Sequence, residues 1–287
     1  VVDRESGLAS LDARAPDYDL SDEQMASQVG GLILRATKAN NYREQKYSVH
    51  SLGPDDEFVN VARTVECDVF SRKFDNGPDL MEVEYEPYEG ESHFYTVIDN
   101  VAKMAVGAMR IAGESDAGFK TIVDLGDSDK VKLSESFGGF DRSQDSILES
   151  HGIITESTID ILTLAMPRGV LGTRTSMGVL AAMYYEVYDY TTTNRISHWL
   201  TMFDERAKRS TDNIGVPFRS IGGLSSVEYL GSSGTLPLWL PTADIEPSMQ
   251  DKKEHPKTRS LFKGMIDGML MGNTGLIKKG GLQRVAI

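Results

Sequence analysis

Two hydrophobic periods take turns along this chain. Residues 47–52, Y-S-V-H-S-L, alternate like a strand, and Gly53-Pro54-Asp55-Asp56 breaks the alternation and caps the next segment. Phe58, Ala62, Val65, Val69 and Phe70 then recur at helical spacing. Residues 92–99 and 101–111 predict two antiparallel strands around a turn at Asp99-Asn100. Residues 159–166, I-D-I-L-T-L-A-M, are a buried-strand run that Pro167 ends, because proline has no N–H for a ladder. A glycine loop, Arg168-Gly169-Val170-Leu171-Gly172, leads into a long helix. Thr173, Thr175 and Ser176 are its possible N-caps, and Met177, Leu180, Ala181, Tyr184 and Tyr188 keep to one face. Residues 196–203 are another strand, Asp204 caps a short helix, and short strands are expected at 218–221, 227–230 and 235–240.

The flanks read differently. Residues 1–20 are polar and predict a mobile arm. Ser21-Asp22-Glu23-Gln24 is a capping-box start for a helix striped by Met25, Val29, Leu32, Ile33 and Ala36, with Gly30 and Gly31 weakening it. Residues 82–91 are an acidic run, read as a loop. Residues 113–152 form a long connection with short helical pieces, anchored by Phe119, Ile122, Leu125, Phe137 and Phe140. Residues 261–270 form an apolar stripe expected to dock on its own domain, ahead of a basic end, Lys278, Lys279 and Arg284. The division is thus an arm and helix over 1–45, a central domain over 46–240 and an extension over 241–287. A strand-rich first half followed by strand–helix–strand argues for an α/β fold, a mixed sheet with one crossover helix.

Composition narrows the partners. The 287 residues carry a formal net charge of −13, with 40% hydrophobic and 25% charged residues, a globular balance. That charge disfavours DNA, which is held mainly through phosphates. The single cysteine, Cys67, allows no intramolecular disulfide. No apolar run reaches membrane-spanning length, and V-V-D-R-E-S-G lacks the regions of a signal peptide, so the expectation is a cytoplasmic protein. No Cys/His spacing suggests a metal site. His93 and His198 lie within strands and read as core or surface histidines. Strand, glycine loop and helix together place unpaired N–H groups where an anion can sit, although the loop matches neither the Walker nor the Rossmann pattern.

Several local motifs, in order, resemble the Gcn5-related N-acyltransferase superfamily, and within it the acyl-homoserine-lactone synthases and N-acyl amino acid synthases. Glu84-Tyr85-Glu86-Pro87-Tyr88-Glu89 is similar to their E-Y-D-x-Y-D segment. Val106-Gly107-Ala108-Met109-Arg110-Ile111 is similar to their V-G-x-x-R-L strand end. Asp160 to Met166 sits where they have E-x-x-R-x-A-V, with Thr163 in place of the arginine. Ile196-Ser197-His198 followed by Ile214-Gly215-Val216-Pro217-Phe218 is similar to their I-T-H…L-G-I-P-F succession. The resemblance covers residues 47–240. The superfamily's [QR]-x-x-G-x-[GA] pyrophosphate pattern is absent, its helix-one arginine falls at Glu66 with Arg63 one turn earlier, and no tyrosine follows Phe203 in the next helix.

The resemblance implies a mostly antiparallel sheet with splayed central strands, an acyl-CoA N-acyltransferase-like fold, and amide formation from a thioester. The donor would be an acyl-phosphopantetheine, on coenzyme A or an acyl carrier protein, with no permanently bound cofactor. The acceptor would be the amine of an amino acid or similar small molecule. Asp160 is the expected base, or else a strand-end Asp that caps or pairs, with Glu84 and Glu86 as further catalytic carboxylates. Leu164, Ala165 and Met166 would lend backbone groups to the pantetheine, and Arg168, Gly169, Gly172, Thr173 and Arg174 would meet phosphate. Arg110, Glu89 and Arg63 would bind the acceptor, or else pair structurally. Arg168, Arg174, Arg195, Arg206, Lys208 and Arg209 offer a basic patch for a carrier protein. An aminoacyl-tRNA-dependent transferase and a non-catalytic binding module on the same fold are the alternatives.

Overall fold

A computed structural model describes residues 16–39, 45–134, 137, 139–230, 232–272, 276 and 281–285. Helix α1 (Asp22–Lys38) starts at the expected capping box, with Ser21 and Gln24 exchanging side-chain and backbone hydrogen bonds. It runs unbroken through Gly30 and Gly31, because Gly31 lies against the Phe58 ring, where a Cβ would come within 2.4 Å of ring carbons. Strand β1 (Tyr47–Leu52) and helix α2 (Val59–Phe74) come next, as the pattern predicts.

The acidic run is not a loop. Helix α3 (Pro78–Tyr85) begins at Pro78, whose missing N–H costs nothing in a first turn, and a 3-10 segment over Glu86–Glu91 completes it. Strands β2 (Ser92–Asp99) and β3 (Met104–Ala112) pair antiparallel. Their turn is wider than expected: Asp99 accepts from the amides of Val101 and Ala102, and Lys103 is left-handed.

The long connection holds helix α4 (Lys120–Gly126), strand β4 (Val131–Lys132) and helix α5 (Gln144–His151). The aromatic and aliphatic anchors foreseen there pack together, and β4, which no pattern announced, joins the sheet through β8. Strand β5 (Thr158–Ala165), helix α6 (Thr173–Asn194), strand β6 (His198–Asp204) and helix α7 (Glu205–Ile214) form the central unit. Asp204 caps α7 by accepting from the Ala207 amide, as expected. The N-cap of α6 is Gly172 and not one of the three hydroxyl residues. Strands β7 (Arg219–Ser220), β8 (Val227–Tyr229) and β9 (Ser232–Pro241) precede helix α8 (Ile245–Glu254), helix α9 (Ser260–Met271) and strand β10 (Leu282–Val285). The apolar stripe at 261–270 docks against α6 as α9. Lys278 and Lys279 lie outside the described residues.

The sheet has the order β10-β1-β2-β3-β5-β6-β9-β8-β4, with β7 on β9. It is mixed and mostly antiparallel; the β10–β1 and β5–β6 pairs are parallel. Helix α6 is the crossover joining β5 to β6. One face carries α6 and α9, sealing a core that includes Tyr95, Met109, Ile161, Val187 and Trp199. The other carries α1 and α2 over the first half and α4 and α5 over the second. Burial of such side chains contributes about 1.5–3 kcal/mol each before the entropy cost of ordering them. None of the described helices is long and apolar enough to cross a membrane.

Candidate functional site

Strands β5 and β6 are bonded only at one end. Their parallel register runs from Thr158 opposite His198 to Ile161 opposite Thr201 and stops, although β5 continues to Ala165 and β6 to Asp204. At the parting point the Thr201 hydroxyl donates to the Ile161 carbonyl at 2.9 Å, replacing the next rung of the ladder. On its other edge β5 stays paired with β3 as far as Ala165 opposite Ala108, through an irregularity opposite Arg110 and Ile111. That bulge puts Leu162 and Thr163 in succession on the α2 face, Leu162 against Tyr85 and Met81 and Thr163 on Glu66. Leu164 and Met166 turn to the α6 core, and Ala165 to the α2 core.

The open end of the splay leads to the glycine loop. Gly169 is left-handed at φ 76°, and Gly172 enters α6 in extended conformation with no side-chain cap. The first-turn N–H groups of α6, including those of Thr173 and Arg174, have no intrahelical acceptors. Arg168 and Arg174 are exposed, and Arg174 Nε donates to the Leu276 carbonyl at 3.3 Å. Helix α7, which carries Arg206, Lys208 and Arg209, starts at the same end of the sheet as α6, because β5 and β6 run parallel. Lys208 pairs with Asp212 and Arg209 with Glu205. Arg195 caps the far end of α6, so the sequence-derived basic patch is divided.

On the α2 face the structure gathers Arg110, Glu89 and Arg63 around a fourth charge that sequence reasoning did not propose as a site residue, Glu66. Arg110 is fully buried, and its Nη2 and Nε donate to Glu66 Oε2 at 2.7 and 3.2 Å. Its Nη1 donates to Glu89 Oε1 at 2.9 Å. Arg63 Nη2 and Nε donate to Glu89 Oε2 at 2.6 and 3.2 Å, and its Nη1 to Asn60 Oδ1 at 2.6 Å. Glu66 Oε1 accepts from the Thr163 hydroxyl on the bulge. Tyr18 reaches in from the segment before α1: its hydroxyl donates to Glu89 Oε1 and accepts from Arg110 Nη2 at 3.0 Å.

The four charges cancel, but their environments differ. Burial lifts the Glu66 carboxyl above its ordinary value against the opposing pull of Arg110 and Thr163. Burial pushes Glu89 the same way, yet Arg110 and Arg63 together hold it below the usual range, as a carboxylate. Burial raises the Tyr18 hydroxyl, keeping it protonated.

A second ionic cluster lies beside the first. Lys120 Nζ donates to Glu84 at 2.8 Å and Asp124 at 2.6 Å, and Lys130 Nζ to the same two carboxylates at 2.7 and 3.1 Å. The Tyr229 hydroxyl donates to Asp124 at 2.6 Å. Glu84 is therefore clamped: burial opposes its charge, but the two lysines keep its carboxyl below the usual range. Glu86 is exposed and makes no ion pair among the described residues. Asp160 stands at the bonded end of β5, fully buried, opposite Leu200. Its two oxygens accept from the Thr121 amide at 2.6 Å and hydroxyl at 2.7 Å, holding the first turn of α4. Burial outweighs both bonds and raises its carboxyl to about 6.

Glu66 had a legible signal. Arg63 and Glu66 both interrupt the apolar positions of α2, and charges at such positions need partners, which here are Glu89 and Arg110 and not each other. Thr163 likewise interrupts a buried strand. Tyr18 had none, because nothing local ties it to a core. Two open clefts, of about 450 Å³ beside Gly215 and Lys252 and about 430 Å³ beside Arg35 and Phe58, lie away from the splay. Among the described residues no group of His, Cys, Asp and Glu is placed to hold a metal ion.

No family model matches the sequence, and no curated protein matches it. Solved structures do. An N-acyl amino acid synthase from uncultured soil microbes is 10% identical, with 71% of this chain and 94% of that one covered at a TM-score of 0.49. A CoA-dependent acyl-homoserine lactone synthase is 10% identical, with 74% and 92% covered at 0.47. A putative GNAT-family acetyltransferase from Desulfovibrio desulfuricans is 13% identical, with 68% and 99% covered at 0.38.

Proposed function

We propose that this protein is an N-acyltransferase that moves an acyl group from a phosphopantetheine thioester to the amine of an amino acid or similar small molecule. The observation that carries this reading is the parting of β5 and β6 after four bonded pairs. A parted strand leaves amide groups that need partners, and a pantetheine arm carries amides of its own. Leu164, Ala165 and Met166 would pair with it, and a backbone N–H there would take the developing oxyanion. Phosphate would meet Gly169, Gly172 and Thr173 at the start of α6, with Arg168 and Arg174 beside them. Because the loop departs from the superfamily's pyrophosphate pattern, the single phosphate of a carrier protein suits it better than coenzyme A.

The acceptor would lie on the α2 face beneath Tyr18, its carboxylate on Arg63 or Arg110 and its ammonium on Glu89. Glu89 is held charged, which favours anchoring an ammonium over removing its proton. Two carboxyls remain for that step. Asp160, at about 6, has a suitable proton affinity, but Thr121 must release it. Glu66, raised by burial, is reached through the Thr163 hydroxyl on the bulge, beside the expected thioester. Glu84 fits a supporting role, tying the long connection over 113–152 to α3 through Lys120 and Lys130, whereas no contact among the described residues gives exposed Glu86 one.

Calorimetry with acetyl-coenzyme A and with a phosphopantetheinylated carrier protein, then mass spectrometry for amide product, tests the reading. Carrier binding weakened about tenfold by Arg168→Gln, with turnover retained, is the expected result. Binding of neither donor would refute it. A steep salt dependence of tRNA binding would instead favour the tRNA-dependent alternative.

A further inference from the structure

Residues 16–20, ahead of α1, cover the Arg63–Glu89–Arg110 cluster in an unusual way. Tyr18 and Leu20 are buried, at 4% and 7% exposure, so the segment is packed and not a free arm. Yet among the described residues it pairs with no strand, and its hydrogen bonds to the domain beneath run through side chains. The Asp17 amide donates to Asn60 Oδ1 at 3.2 Å, and the Leu20 amide to Thr64 Oγ1 at 3.3 Å. Tyr18 adds its hydroxyl contacts to Glu89 and Arg110. Asn60 and Thr64, which take the two main-chain amides, are one turn apart on α2, while Glu89 and Arg110, which take the Tyr18 hydroxyl, lie after α3 and on β3.

Beneath the segment lie four charges that cost several kcal/mol each to desolvate and are repaid only by complete pairing. The Tyr18 hydroxyl supplies part of that pairing, donating to a carboxylate and accepting from a guanidinium at once. A zwitterion offers the same two functions, an ammonium donor and a carboxylate acceptor. A segment without main-chain rungs opens at a fraction of the free energy of global unfolding.

We propose that residues 16–20 are a strap that opens to admit the acceptor, and that the Tyr18 hydroxyl occupies the acceptor's polar position while the strap is closed. This rests on placing the acceptor at that cluster. When the strap lifts, Glu89 Oε1 and Arg110 Nη2 each lose a partner, and the incoming ammonium and carboxylate restore both. Tyr18 is here a positioning residue: it holds the empty site paired and takes no part in the chemistry.

Hydrogen exchange of the whole chain, read by mass spectrometry, tests the strap without any ligand. The amides of Asp17 and Leu20 should exchange at least a hundredfold faster than those of β3, and Tyr18→Phe should speed them about tenfold more while β3 stays unchanged. Exchange of 17–20 at the β3 rate in both proteins would overturn the strap. The second readout is acyl transfer to a panel of free amino acids from an acyl carrier-protein donor. The strap predicts that Tyr18→Phe changes the acceptor KM severalfold and leaves the donor KM alone. Transfer with an unaltered acceptor KM would also overturn the strap. Fast exchange at 17–20 without transfer to any amine would remove the acceptor from this cluster, and with it the strap's role as a substrate gate.

Discussion

Two buried ionic clusters stand side by side on one face of this sheet, and they are built from the same ingredients. Each has two cations, two carboxylates and a tyrosine hydroxyl. In the first, Arg110 and Arg63 face Glu66 and Glu89, with Tyr18 between them. In the second, Lys120 and Lys130 face Glu84 and Asp124, with Tyr229 on Asp124. The difference is in the cations and the cover. A guanidinium is a planar fork that fixes each carboxylate at a set position, whereas an ammonium is a point charge that tolerates rearrangement. The arginine cluster is covered by residues 16–20, which make no ladder among the described residues. The lysine cluster is wetter, with Lys130 side chain 26% exposed, and ties three elements of regular structure together. Fixed geometry under a removable cover suits ligand recognition. Adaptable geometry among permanent elements suits a clasp, here holding the long connection over 113–152 to α3 and β8.

The largest expected break is Arg110→Met. It strands Glu66 and Glu89 without their shared cation and should cost about 3–5 kcal/mol in urea unfolding, the range for removing one partner of a buried pair. A loss below about 1 kcal/mol would mean that the cluster is hydrated and not sealed.

Asp160 sits beside the lysine cluster, within the influence of Asp124 and Lys120, and Asp160→Asn tests how dry that side is. Its folded-state carboxyl, near 6, lies above the unfolded value of 3.8. The folded protein therefore holds the extra proton between those values, and stability from this group falls as pH rises through the window from about 4 to 6. A shift of about two pH units amounts to about 3 kcal/mol. Asparagine can accept from the Thr121 amide and donate its own amide to the Thr121 hydroxyl, reversing that second bond, and carries no such titration. The variant should gain stability relative to the parent by up to about that amount as pH rises from 4 to 7, measured by thermal unfolding at matched ionic strength. Parallel pH profiles would show that Asp160 is solvated.

The smallest effect sharpens the contrast in cations. Lys130→Arg replaces a point charge with a fork at the edge of the lysine cluster, and a change within about 0.5 kcal/mol is expected by urea unfolding. A loss as large as that of Arg110→Met would erase the distinction between clasp and recognition site.

The local pattern was readable from the chain. The capping box at Ser21, the alternation of 47–52, the strand of 92–99, the Asp204 cap and the docking stripe at 261–270 all depend on neighbours within a few residues. For the same reason Arg63 and Glu66, one turn apart among apolar residues, were legible as buried charges, but not their partners Glu89 and Arg110, which come from other elements. Tertiary contacts decided the rest. Acidic residues 82–85 become helix because Met81 and Tyr85 find a core and Glu84 finds two lysines, and propensity alone does not count those partners. Gly172 displaced three better N-cap residues because the path from β5 into α6 set where the helix begins. Strands β4 and β10 are too short to announce themselves and exist because a sheet edge was waiting for them.

The sequence by itself determined which segments alternate, which turn at 3.6 residues, and that a strand–glycine loop–helix unit lies at the centre. Only the tertiary structure decided that β5 and β6 part after Ile161, that Arg110 is answered by Glu66 from another element, and that Tyr18 closes over both. Periodicity is a local property fixed by backbone geometry. The partner of a buried charge is fixed by which distant segments share a desolvated space, and that is known only once the chain has closed around it.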